Sequence, residues 1–136
     1  MKQFNNHKLN PTLAKRGVLG SVIAILILTV FEFPPPIGFE TKPQGGVSPF
    51  WLVLFLAILV TEIATIPLIF KRPKLGAKFA IVAAVLNILQ IFADQLHLMQ
   101  PEVAPFGYLM LEYSVGLFAL ALAYIACTVH QERTNQ

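Results

Sequence analysis

The sequence predicts an all-α integral membrane protein, an antiparallel up-down-up-down bundle of four transmembrane helices. Three observations predict it. Apolar residues gather in four runs, 17–33, 49–70, 79–99 and 107–129, separated by polar joints. Each run can cross a hydrocarbon layer of roughly 30 Å as a helix rising about 1.5 Å per residue, the first by borrowing length from the residues just before it. The chain is 56% hydrophobic and 12% charged, against roughly 25% charge in an ordinary globular domain, so it has too little polar surface to stay in solution alone. The positive charge is also one-sided. Lys2, Lys8, Lys15 and Arg16 precede the first run, Lys71, Arg72, Lys74 and Lys78 fill the middle joint, Arg133 follows the fourth, and Lys42 alone falls opposite.

The spans are placed at 13–33, 49–70, 77–99 and 105–129, within a single transmembrane domain covering residues 1–136. Span one is introduced by Asn10-Pro11 and span two by Ser48-Pro49, each a capping residue before a proline. The missing proline N–H is harmless in a first helical turn. Pro34-Pro35-Pro36 cannot continue span one and opens the longest joint, which runs through Gly45-Gly46 to Ser48. Phe50 and Trp51 at the start of span two, with Tyr108 and Tyr113 early in span four, fit interfacial aromatic anchors. Pro101 and Pro105 make residues 100–106 a tight turn before span four. Short joints favour antiparallel neighbours, hence the bundle. No internal repeat supports an inverted-repeat transporter.

Positive charge resists translocation, so both termini and the middle joint are expected in the cytoplasm. The first apolar run lacks a small-x-small cleavage site and is expected to stay attached. Small size and the absence of glycosylation sequons favour a bacterial inner membrane. The net charge of +3 does not signal nucleic acid, because the basic residues sit at the ends of apolar helices rather than on a folded basic face. A single cysteine, Cys127, excludes an internal disulfide and a cysteine metal site and reads as a packing residue. Gly17, Gly20, Ser21 and Ala24 on span one, and Gly116, Ala119, Ala123 and Ala126 on span four, form small-residue faces. Such faces let helices approach closely in lipid, within the chain first and in a homo-oligomer or membrane complex second.

Polar residues inside spans are informative because lipid penalises them. Asn87, Gln90, Asp94 and His97 of span three fall within an arc of about 80° at 100° per residue, a single stripe expected to face the bundle interior. Gln95 lies off it. Tyr108 and Glu112, four residues apart on span four, are expected at the same outer depth, as is Glu32 at the end of span one. Glu32, Asp94, His97, Tyr108 and Glu112 could therefore bind a divalent cation, relay protons or hydrogen-bond a polar ligand head such as a quinone carbonyl. Helix locking and contact with wet headgroups are the simpler roles. Di-metal carboxylate bundles use Glu-x-x-His pairs on two helices, and this chain has none, so no metal is expected. Glu62, deeper in span two beside Thr61 and Thr65, precedes Pro67, which frees the carbonyl of Ile63. It is expected to be hydrogen-bonded across to Asn87 or Gln90, with functional and structural roles both open.

Four local features together resemble the DoxX-like family of four-helix membrane proteins. They are Lys15-Arg16-Gly17 opening span one, Thr61-Glu62-Ile63 in span two, Ala93-Asp94-Gln95-Leu96-His97 closing span three, and Glu112-Tyr113 opening span four. The chain departs from that family where Pro34-Pro35-Pro36 and Pro67 replace glycine-rich span ends. The resemblance implies a quinone-coupled or accessory role in a membrane redox system. No motif names a reaction. The function expected first is binding of a quinone, lipid or small hydrophobic ligand. A structural subunit of a membrane complex comes next, then a small proton-coupled transporter, whose membrane glutamate would belong in span one.

Overall fold

A computed structural model describes residues 10–32, 49–96 and 106–134. It contains α1 (Pro11–Glu32), α2 (Pro49–Lys71), α3 (Pro73–Gln95) and α4 (Phe106–Thr134). Each helix is long and apolar enough to cross a membrane, and among the described residues there are no strands. The molecule is an all-α integral membrane bundle. The helices form a ring in which α1 packs on α2 and α4, and α3 on α2 and α4, with α1–α2 the least extensive of these contacts. The joints at 33–48 and 97–105 lie outside the described residues, together with His97, Lys2, Lys8, Lys42 and the turn prolines. The side chains of Glu32, Trp51 and Arg133 lie outside them as well.

Local chemistry sets the helix ends. Asn10 caps α1: its Oδ1 accepts from the Thr12 N–H at 3.0 Å, and its carbonyl accepts from the Ala14 N–H at 2.9 Å. The middle joint is shorter than the sequence suggests. Only Arg72, with φ −139° and ψ 75°, separates α2 from α3, and α3 begins at Pro73 rather than near residue 77. A residue before proline is pushed out of the helical region, while the proline itself suits a first turn. The chain therefore breaks at one residue and resumes at once, taking Lys74 and Lys78 into α3.

Closeness at this corner depends on Gly76. A Cβ there would lie 2.6 Å from Ile69 Cα and 2.7 Å from the Leu68 carbonyl carbon, and would also strike the Ile69 backbone nitrogen. These are backbone atoms and cannot swing away. From the corner, a run of buried alanines (Ala77, Ala80, Ala83 and Ala84) brings α3 close to its neighbours.

The other helices turn larger stripes inward at spacings of three and four, the period of left-handed bundle packing. On α1 these are Ala14, Val18, Val22 and Ile25; on α2, Ile58, Glu62, Thr65 and Ile69; on α4, Val115, Ala119, Leu122, Ala126 and Val129. The small-residue face expected on α1 needs correction. Ser21 is buried and Gly17 lies against Ile125, but Gly20 is exposed, with nothing near the position of a Cβ. On α4, Ala119 and Ala126 are fully buried, while Gly116 faces Ile91 and Ala123 flanks the core. Val30, Val53, Val60, Phe92 and Leu117 point outward and are largely exposed, an apolar belt around the bundle.

Candidate functional site in the bundle interior

The stripe on α3 faces inward. Asn87 and Asp94 are buried, and Gln90 between them is half-buried. Asn87 meets Glu62 of α2, which is 0% exposed. Asn87 Nδ2 donates to Glu62 Oε1 at 2.8 Å and to the Ala83 carbonyl, one turn earlier, at 2.9 Å. Asn87 rather than Gln90 is thus the partner of Glu62. Glu62 Oε2 is buried with no hydrogen-bond partner among the described residues.

Around Glu62, α2 satisfies its own hydroxyls. Thr65 Oγ1 donates to the Thr61 carbonyl at 2.7 Å, and Thr61 Oγ1 is shared between the Ala57 and Ile58 carbonyls at 2.9 and 2.8 Å. Neither hydroxyl is turned toward the carboxyl, so α2 leaves Glu62 to α3. Pro67 lies inside the continuous helix, where it supplies no N–H for the carbonyl one turn back.

At the other end of the stripe, Gln95 Nε2 donates to Glu112 Oε2 at 2.9 Å. Glu112 is buried, and Tyr108, one turn before it on α4, is half-buried. Asp94, buried beside Gln95, makes no side-chain hydrogen bond to a described residue. Sequence spacing sets Gln95 off the polar stripe, and its Cα is indeed outside it. A long amide can still reach around its own helix to the facing one, which spacing alone does not reveal. The carboxyl of Glu112 is therefore held by the neighbour of Asp94.

Between the two pairs lies a small cavity to which all four helices contribute. Thr29 comes from α1, Phe55 and Ile58 from α2, Asn87, Gln90 and Ile91 from α3, and Glu112 and Val115 from α4. Its free space is that of about one water molecule. Thr29, buried on α1, is a polar member of this wall that the sequence pattern does not single out. The interior thus holds two hydrogen-bonded pairs, Glu62–Asn87 and Gln95–Glu112, with a half-polar cavity between them. Glu32 ends α1, but its side chain, like all of His97, falls outside the described residues, so the wider outer cluster is not placed. Among the described residues no three His, Cys, Asp or Glu side chains gather as a metal site would require.

Comparison with protein-family models, with curated proteins and with solved structures finds no match.

Proposed function

We propose that this protein binds the polar head of an amphipathic molecule, a quinone or a lipid, between its helices, and serves as an accessory subunit of a membrane redox system of the DoxX-like kind. The observation that carries this reading is the cavity that joins Thr29, Asn87, Gln90 and Glu112 inside an otherwise apolar bundle. Locking helices together needs paired groups. A space into which three helices bring polar groups and α2 brings Phe55 and Ile58 suits a ligand head. Open ligand pockets run to roughly 300–1,000 Å³, far more than this cavity, so the head enters by parting helices. The least extensive contact around the ring, α1–α2, is where that parting is easiest. The apolar tail then lies along the exposed belt.

Native mass spectrometry of the protein extracted with its membrane lipids tests this. A co-purifying quinone or lipid is expected on the wild type, with at least about tenfold less on Gln90→Leu and Glu112→Gln, which alter the cavity wall. Equal retention in all three sinks the reading. A second reading, a structural subunit of a membrane complex, is favoured by the fact that both hydrogen-bonded pairs tie α3 to a neighbour. Absence of ligand with only reduced stability in both variants supports it.

The distribution of lysine and arginine supports an orientation with both termini and the α2–α3 corner in the cytoplasm of a bacterium, across its inner membrane. A cytoplasmic reporter fused after Gln136 is expected to be active and a periplasmic reporter silent. The reverse pattern inverts the topology.

A further inference from the structure

The two oxygens of Glu62 are treated unequally. Oε1 accepts the Asn87 amide at 2.8 Å, whereas Oε2 is enclosed with no partner among the described residues. Asn87 has nothing more to give, since its Nδ2 also serves the Ala83 carbonyl at 2.9 Å. Among the described residues no cationic side chain is buried. An ionised carboxylate at this position would be an uncompensated charge in a low-dielectric interior, the arrangement membrane proteins tolerate least. A proton on Oε2 removes that charge.

We propose that Glu62 is a proton-binding site within the membrane, and that it exchanges its proton with Glu112 through the cavity beside Gln90. Ile58, one turn before Glu62 on the same face, lines this cavity, as does Asn87, which holds the Glu62 carboxyl. Glu112 and Gln90 line it too. The space accommodates about one water, the carrier this exchange uses when Glu62, held just outside the lining by Asn87, turns toward it. In the transfer, the O–H bond at Glu62 Oε2 breaks as one forms to the water oxygen. The water releases a different proton to the Glu112 carboxylate, which holds its charge against the Gln95 amide, and Glu62 becomes a short-lived anion stabilised only by its Asn87 hydrogen bond. The reverse transfer restores the start, and no electrons move. The other buried titratable groups among the described residues are Asp94 on α3 and Glu112 on α4, and α1 presents Thr29 to the cavity. No bound ligand is needed, so this site stands or falls apart from the ligand reading.

Infrared spectroscopy of the ligand-free protein, reconstituted in synthetic saturated phospholipid nanodiscs, tests the proposal. The wild type is expected to show a carboxylic-acid C=O band that shifts on transfer to D2O and is lost in Glu62→Gln. Glutamate carboxyl ¹³C labelling identifies the band as glutamate in the wild-type chain, should Glu62→Gln fail to fold. Gln90→Leu replaces the polar cavity wall with an apolar side chain of similar size. It is expected to leave the band in place and slow its D2O shift by about tenfold or more. A wild type without a glutamate acid band, a band that survives Glu62→Gln, or equal exchange rates in Gln90→Leu and wild type overturns the proposal.

Discussion

Replacing Gly76 by alanine is expected to lower stability by about 3 kcal/mol or more, the upper range for forcing extra atoms into a packed interior. The added methyl group would lie 2.6 Å from Ile69 Cα and 2.7 Å from the Leu68 carbonyl carbon, well inside van der Waals contact. A flexible side chain could yield, but the atoms struck are backbone in the last turns of α2. Relief would require prising α3 away from α2 at their single-residue corner, which displaces Ala77 and Ala80 as well. Gly20→Ala is the internal control, because nothing lies within 4 Å of its Cβ position. Alanine there is expected to be neutral or stabilising by up to about 1 kcal/mol, through its higher helix propensity. Thermal unfolding in detergent separates the two. Equal midpoints for the Gly76 variant and wild type would mean that the corner does not require glycine.

Asn87→Leu is expected to be nearly as damaging, by about 3 kcal/mol, although it makes the bundle more apolar. The substitution removes the Nδ2 donor of Glu62 Oε1 and leaves a fully enclosed carboxyl without any partner among the described residues. What is lost is less the hydrogen bond than the compensation for having buried the acid. Removing both partners should therefore recover much of the stability, and Glu62→Met with Asn87→Leu is expected to be more stable than Asn87→Leu alone. A double-mutant cycle measured by unfolding in detergent reads the coupling, expected at roughly 1–2 kcal/mol for a buried polar pair in a membrane bundle. Additive effects would show that Asn87 and Glu62 do not act as a pair.

The stripe on α3 shows how far spacing alone can reach. Asn87, Gln90 and Asp94 share one face by helical arithmetic, and lipid will not accept that face, so its inward direction follows from the sequence. So does the pairing of Glu62 with one of two amides across the α2–α3 contact. Which amide it is depends on the axial offset between the helices, and the Arg72 corner and Gly76 set that offset. Gln95 is illegible in the sequence for the opposite reason. Its position is off the face, and it reaches Glu112 only because α4 lies close enough for a long side chain to bridge. The small-residue face on α1 fails at Gly20 because three- and four-residue spacings fit more than one face of a helix. Valine and isoleucine at Val18, Val22 and Ile25 fill the interior there instead.

By itself the sequence determined that four helices form, where each lies to within a few residues, and that Glu62, Asn87, Asp94 and Glu112 turn inward. These follow from segment-local physics: an apolar run of the right length must satisfy its own backbone in hydrocarbon, and periodicity assigns its faces. The tertiary structure decided how tightly α2 turns into α3, which amide holds each buried carboxyl, and that Thr29 joins Asn87, Gln90 and Glu112 around one water-sized space. Those outcomes depend on the rotation and offset of one helix against another, fixed by close contacts such as Gly76 on Ile69 that no single segment encodes.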